Sequence, residues 1–226
     1  GSTAAWMVRC LAELIQEEGL KIVGVPTSTR TAELAQKLGI PIVSLDEAKW
    51  LDLTIDGADE FDNDLSLIKG GGGALLQEKI VASASEKMIV ITDPSKRVEA
   101  LGLFPLPVEV VRFGWETTRA KIEDVLGSMD VMGRRVTTRM DREKALVTDE
   151  GHHILDLHLR KISDPDALAT ALKLIPGVVE TGLFIRIADA VVIGASDGSG
   201  TLYAASGAET GLELPDDVTL ETLFPG

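Results

Sequence analysis

The sequence has 226 residues, of which 45% are apolar and 26% charged, and this length predicts one large domain or two modest ones. No apolar run approaches the roughly 20 residues needed to cross a bilayer, and residues 1–5 lack the pattern of a secretory signal. We therefore expect a soluble, cytoplasmic protein.

The 22 basic and 36 acidic side chains give a net charge of −14, which argues against nucleic acid and membrane lipid as partners. The same acidic excess is compatible with adaptation to salt.

The single cysteine, Cys10, cannot form a disulfide within the chain. It lies at helical spacing among the apolar residues Met7, Val8, Leu11 and Leu14. We predict that Cys10 belongs to the hydrophobic core, with a reactive thiol as the alternative.

The first half of the chain alternates predicted helices and strands. Apolar spacing and glycine stops predict helices at 4–18, 31–38 and 74–85, with a helical turn at 45–49. Short apolar or alternating runs predict strands at 22–25, 41–44, 51–56, 65–68 and 88–92. This order predicts an α/β fold with a Rossmann-like, mainly parallel sheet flanked by helices, whose ligands bind beyond the carboxyl ends of the strands.

The order of predicted strands and helices changes after Pro107. Strands are predicted at 108–112, 135–139 and 153–158 and helices at 117–126 and 166–174, which indicates an inserted, smaller α+β domain of ferredoxin-like type. A strand at 190–194 returns to the first sheet, and 204–226 is predicted to be an acidic tail. The predicted domains are a Rossmann-like catalytic domain at 1–106 with 186–226, and the inserted domain at 107–185.

An acidic turn follows the strand at 51–56. It comprises Asp56, Gly57, Ala58, Asp59 and Glu60, at the position where α/β sheets bind ligands. The turn is therefore a candidate binding site, and a solvated turn that caps the next element is the alternative.

A glycine loop follows soon after. Lys69 precedes Gly70, Gly71, Gly72 and Gly73 at the start of a predicted helix, so backbone N–H groups can bind an anion or oxyanion. A flexible connector is the alternative. Neither the G-x-G-x-x-G pattern nor a Walker A loop is present, which argues against a nucleotide cofactor.

Three further segments are candidates for the same sheet edge. Glu78 and Lys79 follow the glycine loop and point in different directions on a helix, so either can face the loop, or both can be surface residues. Lys96 follows the strand at 88–92. Gly1, Ser2 and Thr3 open the first helix and suit a phosphate, with simple capping as the alternative.

Two polar clusters are given structural interpretations. His152, His153, Asp156 and His158 alternate with leucines as the polar face of a strand and match no zinc spacing, so no metal is expected. Residues 197–200, Asp-Gly-Ser-Gly, are predicted to form a turn.

Taken together, these motifs resemble type A ribose-5-phosphate isomerases in order and spacing over about residues 1–198. The most specific combination is the acidic turn, the lysine-glycine loop and a glutamate nine residues after that lysine. The other matching segments are Gly1-Ser2-Thr3-Ala4-Ala5, Ser95-Lys96, Phe104-Pro105-Leu106-Pro107-Val108-Glu109-Val110, Pro176-Gly177-Val178-Val179 and Gly182-Leu183-Phe184.

The resemblance implies a cofactor-free aldose–ketose isomerase of the non-oxidative pentose phosphate pathway, which interconverts ribose 5-phosphate and ribulose 5-phosphate through a cis-enediolate. It implies that Glu78 is the general base and that Lys69 with the amides of residues 70–72 stabilises the oxyanion. It further implies that Asp56 and Asp59, in the turn with Gly57 and Ala58, hold sugar hydroxyls and help to open the ring. Lys96 would contact the substrate, and Gly1, Ser2 and Thr3 would hold the phosphate.

The chain departs from the family pattern at both ends. The family has a threonine before the position of Gly1, preceded by a helix and the first strand of the sheet, so we expect an incomplete phosphate site and sheet. The acidic tail extends beyond the usual end of the family. The resemblance implies a homodimer or homotetramer.

Two other functions compete with this interpretation. A sugar-phosphate sensor of related fold would bind without turnover, but the chain lacks a basic helix-turn-helix segment and carries both Glu78 and Lys69. A nicotinamide-dependent dehydrogenase lacks support because the glycine fingerprint is missing.

Overall fold

The computed structural model describes residues 2–204 and 207–212, and of Ser2 it describes the backbone alone. The described helices are α1 (Ser2–Glu17), α2 (Thr29–Lys37), α3 (Leu45–Ala48), α4 (Leu75–Ser83), α5 (Trp115–Ser128) and α6 (Pro165–Lys173). The described strands are β1 (Leu51–Asp56), β2 (Glu60–Phe61), β3 (Leu67–Ile68), β4 (Ser85–Thr92), β5 (Leu106–Val110), β6 (Arg135–Thr138), β7 (Met140–Asp141), β8 (Lys144–Ala145), β9 (His153–His158), β10 (Val178–Thr181), β11 (Leu183–Phe184), β12 (Ala190–Gly194), β13 (Gly200–Ala204) and β14 (Glu209–Leu212).

The first sheet has five strands in the order β1-β4-β12-β13-β14. The pairs β1–β4 and β4–β12 are parallel, and β13 and β14 add antiparallel strands at one edge. Asp56 at the end of β1 is in register with Val90 of β4, so the carboxyl ends of the two strands meet at one edge. The α/β prediction is confirmed, and this edge is where it places the ligand.

The predicted strands at 22–25 and 41–44 form only a single parallel bridge, between Gly24 and Ile42. Two backbone bonds join the segments, from the Gly24 N–H to the Pro41 carbonyl and from the Val43 N–H to the Gly24 carbonyl. Val23 is 59% exposed. Without a further described strand beside them, the segments do not extend into a ladder.

The second sheet has four antiparallel strands in the order β10-β5-β9-β6. Helix α5 lies between β5 and β6 in the chain and α6 between β9 and β10, which is the split β-α-β topology of ferredoxin-like units. Its core includes the fully buried Val108, Ile122, Leu155 and Leu157. The domain boundaries 1–106, 107–185 and 186–226 stay a prediction.

A small third sheet has the order β11-β3-β2. Ile68 of β3 is in register with both Glu60 of β2 and Leu183 of β11. Phe61, Leu67 and Phe184, one from each strand, are in register and belong to one buried cluster. This sheet holds the residues just before β2 next to those just after β3.

Two expectations are corrected by the fold. Cys10 is exposed, not buried. Helix α1 packs through Val8 and Ala12, and Cys10 lies about 200° around the helix from Val8. The predicted tail contains β14, which pairs with β13 through a hairpin that includes Gly207 at φ +82°. Residues 205–206 and 213–226 lie outside the described residues.

The turn predicted at 197–200 is confirmed, because the Ser199 N–H donates to the Asp197 carboxylate.

No helix within residues 2–204 is long and apolar enough to cross a membrane.

Candidate active site

The third sheet brings the acidic turn and the glycine loop together. The Asp59 N–H donates to the Ile68 carbonyl at 2.8 Å, and the Lys69 N–H donates to the Gly182 carbonyl at 2.9 Å. Asp59 and Lys69 therefore leave the sheet side by side. Strand β1 delivers Asp56 to the same place.

Lys69 is the buried centre of this group, with 3% of its side chain exposed. Its Nζ lies 2.8 Å from Asp56 Oδ2 and 3.4 Å from Glu78 Oε2, and it donates to the Gly57 carbonyl at 2.5 Å. Burial lowers the pKa of Lys69, but the adjacent carboxylates of Asp56 and Glu78 together outweigh it and raise the pKa above its usual value. Lys69 is therefore a fixed positive charge.

Glu78 lies in the first turn of α4, with 13% of its side chain exposed. Burial raises the pKa of Glu78 above its ordinary 4.5; Lys69 offsets part of this rise and the charge of Asp56 adds to it. Its Oε2 lacks a hydrogen-bond donor among the described residues, because the contact with Lys69 Nζ has the distance of an ion pair without the direction of a hydrogen bond. Glu78 also lines a cleft, so its carboxylate is placed to act on a bound substrate.

The glycine loop requires glycine at two positions. A Cβ at Gly70, whose φ is +103°, would lie 2.8 Å from the Leu75 Cβ. A Cβ at Gly71 would lie 2.6 Å from Asp59 Oδ1, because the Gly71 N–H donates to Asp59 Oδ2 at 2.7 Å. The loop therefore approaches Asp59 through bare backbone.

Glu78 and Lys79 are adjacent on α4 but contact different groups, a choice that the sequence left open. Lys79 points away from Glu78 and donates to Glu180 Oε1 and to the carbonyls of Thr181 and Leu183. Its Nζ also lies 4.8 Å from the centre of the Phe184 ring. Lys79 thus fastens α4 to β10 and β11, while Glu78 faces the acidic turn.

A cleft of about 460 Å³ opens beside these groups. From the predicted site it is lined by Asp56, Gly72 and Glu78. Its other walls are the first turns of α1, the segment 27–31 at the start of α2, and residues 146–149 before β9. Asp149 joins two of these walls, since its Oδ2 accepts from the N–H and the hydroxyl of Thr29 at 3.1 Å each.

The other predicted site residues lie outside the lining of this cleft or outside the described residues. Thr3 is exposed in the first turn of α1, where Ala4 and Ala5 line the cleft. Gly1 and the side chain of Ser2 lie outside the described residues. Lys96 ends the 3-10 turn Pro94–Lys96 after β4, at the same sheet edge but outside the described lining of the cleft.

Three cations were missed by the sequence reasoning. Arg9, Arg30 and Lys37 line the cleft, from one face of α1 and from α2. A signal existed in the sequence, because Arg30 directly follows the three hydroxyl residues Thr27, Ser28 and Thr29. An acidic protein that binds an anion needs such a local concentration of positive charge.

The histidines have separate partners. His152 Nδ1 lies 2.9 Å from Glu109 Oε1, His153 Nδ1 lies 2.7 Å from the Leu146 carbonyl, and His158 Nε2 lies 2.9 Å from Thr137 Oγ1. Among residues 2–204 and 207–212, no three histidine, cysteine or acidic residues are arranged to hold a metal.

The family model described as ribose 5-phosphate isomerase A (phosphoriboisomerase A) matches residues 23–198. The chain belongs to this family. A ribose-5-phosphate isomerase A from Ruegeria sp. (strain TM1040) is 67% identical over 198 residues, which cover 88% of this chain and 76% of the relative.

Solved structures of the ribose 5-phosphate isomerase A family also match. A ribose 5-phosphate isomerase from Plasmodium falciparum has a TM-score of 0.84 at 36% identity and covers 90% of this chain and 87% of its own. A D-ribose-5-phosphate isomerase in complex with phospho-erythronic acid has a TM-score of 0.81, also at 36% identity, and covers 95% of this chain and 88% of its own. The fold around the cleft is therefore that of the family.

Proposed function

We propose that this chain interconverts D-ribose 5-phosphate and D-ribulose 5-phosphate, with Glu78 carrying a proton between C2 and C1. Family membership makes the chain an isomerase. The observation that carries the proposal is the buried Glu78 carboxylate, which faces the cleft beside a fixed cation and a glycine loop.

Proton abstraction next to a carbonyl requires a base whose pKa lies nearer neutrality than that of a free carboxylate. Burial of Glu78 supplies this shift, and the positive charge of Lys69 offsets part of it and favours the ionised carboxylate. When Glu78 removes the C2 proton of the open-chain aldose, the C–H electrons form the C1–C2 double bond and the carbonyl electrons move to O1. The proton on O2 passes to O1, and Glu78 returns its proton to C1.

The negative charge of the enediolate needs donors that are already in place. Lys69 Nζ, 3.4 Å from Glu78 Oε2, supplies a positive charge next to the base. Gly72 lines the cleft and can offer its N–H, whereas the Gly71 N–H is already bound by Asp59. In this proposal the loop from Gly70 to Gly72 and Lys69 together stabilise the oxyanion.

The sugar and phosphate would occupy the rest of the cleft. Asp56 and Asp59, with Gly57 and Ala58 between them, would bind the hydroxyls and assist ring opening, and Lys96 would contact the substrate from the same sheet edge. The phosphate would bind at the amino end of α1, through the sequence segment Gly1, Ser2 and Thr3. Arg9 and Arg30, which line the cleft, support an anion in this region.

The experiment is turnover of ribose 5-phosphate by the full chain with a chelator present, beside Glu78→Gln. Loss of the base should reduce kcat by at least about 100-fold. Glu180→Gln is the matched control. Like Glu78, Glu180 is a partly buried carboxylate paired with a lysine, in this case Lys79 of α4, but it lies outside the lining of the cleft. Its kcat should stay within about twofold of the parent.

Binding of ribose 5-phosphate without turnover by the parent chain would refute the isomerase proposal and favour a sensor. Full activity in Glu78→Gln would refute the role of Glu78. Activity that disappears with the chelator and returns with added metal would refute metal-free catalysis.

We also propose that the protein acts in the cytoplasm, in the non-oxidative pentose phosphate pathway, as a homodimer or homotetramer. Apolar side chains on the ferredoxin-like unit support self-association: Phe113, Met132 and Leu174 are 93%, 71% and 78% exposed. Sedimentation of the full chain tests the assembly, and cell fractionation tests the location.

A further inference from the structure

Arg139 lies outside every motif described above, yet it contacts the glycine loop. It follows β6 in the ferredoxin-like unit, and its Nη1 donates to the Gly70 carbonyl at 2.6 Å and to the Gly71 carbonyl at 3.1 Å. The two carbonyls are 69 and 68 residues away along the chain. One side chain of the second sheet therefore holds two consecutive peptide groups of the candidate oxyanion site.

Asp156 of β9 fixes the orientation of Arg139. Arg139 Nε donates to Asp156 Oδ2 at 3.0 Å, and Nη2 bonds to Oδ1 of the same carboxylate. The two side chains are 14% and 16% exposed. A bidentate salt bridge of this kind fixes the plane of the guanidinium, so Nη1 points to the glycine loop.

The contact determines where the amides of the loop point. The C=O and N–H of a trans peptide point in opposite directions, and no peptide bond among the described residues is cis. When Arg139 draws the Gly70 carbonyl to one side, the N–H of Gly71 points to the other, where it meets Asp59 Oδ2 at 2.7 Å. By the same geometry, holding the Gly71 carbonyl aims the N–H of Gly72 away from Arg139, and Gly72 is one of the residues that line the cleft.

A loop of four glycines has no side chains to restrict its dihedral angles. The Gly73 N–H donates to the Gly70 carbonyl at 3.0 Å, so the Gly70–Gly71 peptide is restrained within the loop as well as by Arg139 and Asp59. The next peptide, Gly71–Gly72, is held through its carbonyl by Arg139. Donors to a developing charge are effective only when their direction is fixed before the reaction.

We propose that Arg139, oriented by Asp156, is a positioning residue that aims the Gly72 amide at the developing oxyanion. The inference rests on the proposed function, because it assigns a transition-state role to that amide. Arg139 is distinct from a catalytic residue because its contacts are with backbone carbonyls and Asp156.

The test compares Arg139→Met with Arg134→Met in the full chain. Arg134 is the matched control, since it also donates to two backbone carbonyls of the same unit, those of Leu126 and Met129, but far from the loop. For Arg139→Met we expect kcat to fall at least about tenfold while KM for ribose 5-phosphate changes less than about twofold. The affinity for phospho-erythronic acid, a sugar acid whose carboxylate can occupy the place of the enediolate, should fall in parallel. Arg134→Met should retain both values.

A second readout does not depend on turnover. Amide hydrogen exchange at Gly71, whose N–H is bonded to Asp59, should accelerate by at least about tenfold in Arg139→Met and stay unchanged in Arg134→Met. Asp156→Asn should shift kcat and exchange in the same direction by less, because the arginine retains one of its two anchors.

Unchanged kcat in folded Arg139→Met, or an equal fall in Arg134→Met, would overturn the proposal. If Arg139→Met does not fold, Arg139→Lys is the variant to measure. Lysine keeps the positive charge but lacks the planar guanidinium that binds Asp156 at two points, so kcat should still fall while KM is retained. A parental kcat in Arg139→Lys would overturn the proposal. An inactive parent chain would refute the proposed function, whereas unchanged amide exchange in an active enzyme would refute the positioning role alone.

Discussion

The reactivity of Glu78 depends on two neighbours of opposite charge. Lys69 lies 3.4 Å away and favours the ionised carboxylate, while the carboxylate of Asp56, held by the same lysine, disfavours it. Burial disfavours the charge further and raises the pKa most. The ionised carboxylate is therefore a stronger proton acceptor than a glutamate in water, and Lys69 favours that ionised form.

The raised pKa predicts a pH dependence. Glu78 acts as a base only when ionised, so kcat/KM should fall as the pH falls through its pKa, with a midpoint above the ordinary 4.5. In Asp56→Asn the neighbouring negative charge is removed and Lys69 has one carboxylate fewer to neutralise. Both changes lower the pKa of Glu78, so the acid limb of the pH profile should move to lower pH.

The measurement is kcat/KM for ribose 5-phosphate from acid to neutral pH, comparing only the midpoints because Asp56→Asn is also expected to lower the rate. Glu180→Gln should keep the parental midpoint. A midpoint that rises in Asp56→Asn would contradict this account of the electrostatics.

At the scale of elements, two of the shortest strands bring the site residues together. Strands β2 and β3 contain two residues each, and the Glu60–Ile68 register places Asp59 directly beside Lys69. Strand β11 covers the other side of β3 and ties it to the chain just after β10. A shift of one residue would turn these side chains away from each other.

Glu60 shows how this small sheet is tied to the second unit. It is 4% exposed, and its carboxylate accepts from the backbone N–H groups of Gly102 and Phe104, in the segment that leads to β5. Glu60→Ala would remove the acceptor of the buried Gly102 N–H and of the partly buried Phe104 N–H. We expect a loss of roughly 2 to 5 kcal/mol in the free energy of unfolding, measured by urea denaturation.

Glu47→Ala is the control for Glu60→Ala. Glu47 also accepts from a backbone N–H, that of Ser44, but it is exposed, so water replaces the bond and the loss should be much smaller. Equal losses in the two variants would show that burial of the Glu60 contacts is not what stabilises the segment.

For the whole molecule, the net charge of −14 predicts that salt stabilises the folded state. The Debye length falls to about 3 Å at 1 M salt, which screens the repulsion among exposed carboxylates. We expect the protein to remain soluble and its thermal midpoint to rise between low salt and about 1 M sodium chloride. Light scattering and circular dichroism measure these two properties, and precipitation in molar salt would contradict the prediction.

The sequence alone predicted the parts of this protein that depend on short-range patterns. The alternating run at Leu51–Asp56 and the polar and leucine alternation at His153–His158 identified two strands with the bounds observed. Glycines after Lys69 and carboxylates after β1 identified the candidate site, because the ends of parallel strands share an edge. These inferences succeed because side-chain period and turn chemistry act over a few residues.

Only the tertiary structure decided the contacts between distant segments. The contact of Arg139 with Gly70 spans 69 residues and that of Thr29 with Asp149 spans 120, and neither leaves a local pattern in the sequence. Cys10 fits a helical apolar pattern, yet which face of α1 is buried depends on where α2 packs. Strand β14 likewise exists because β13 offers an edge to pair with. Packing of one element on another sets these features, and that packing is a property of the whole chain.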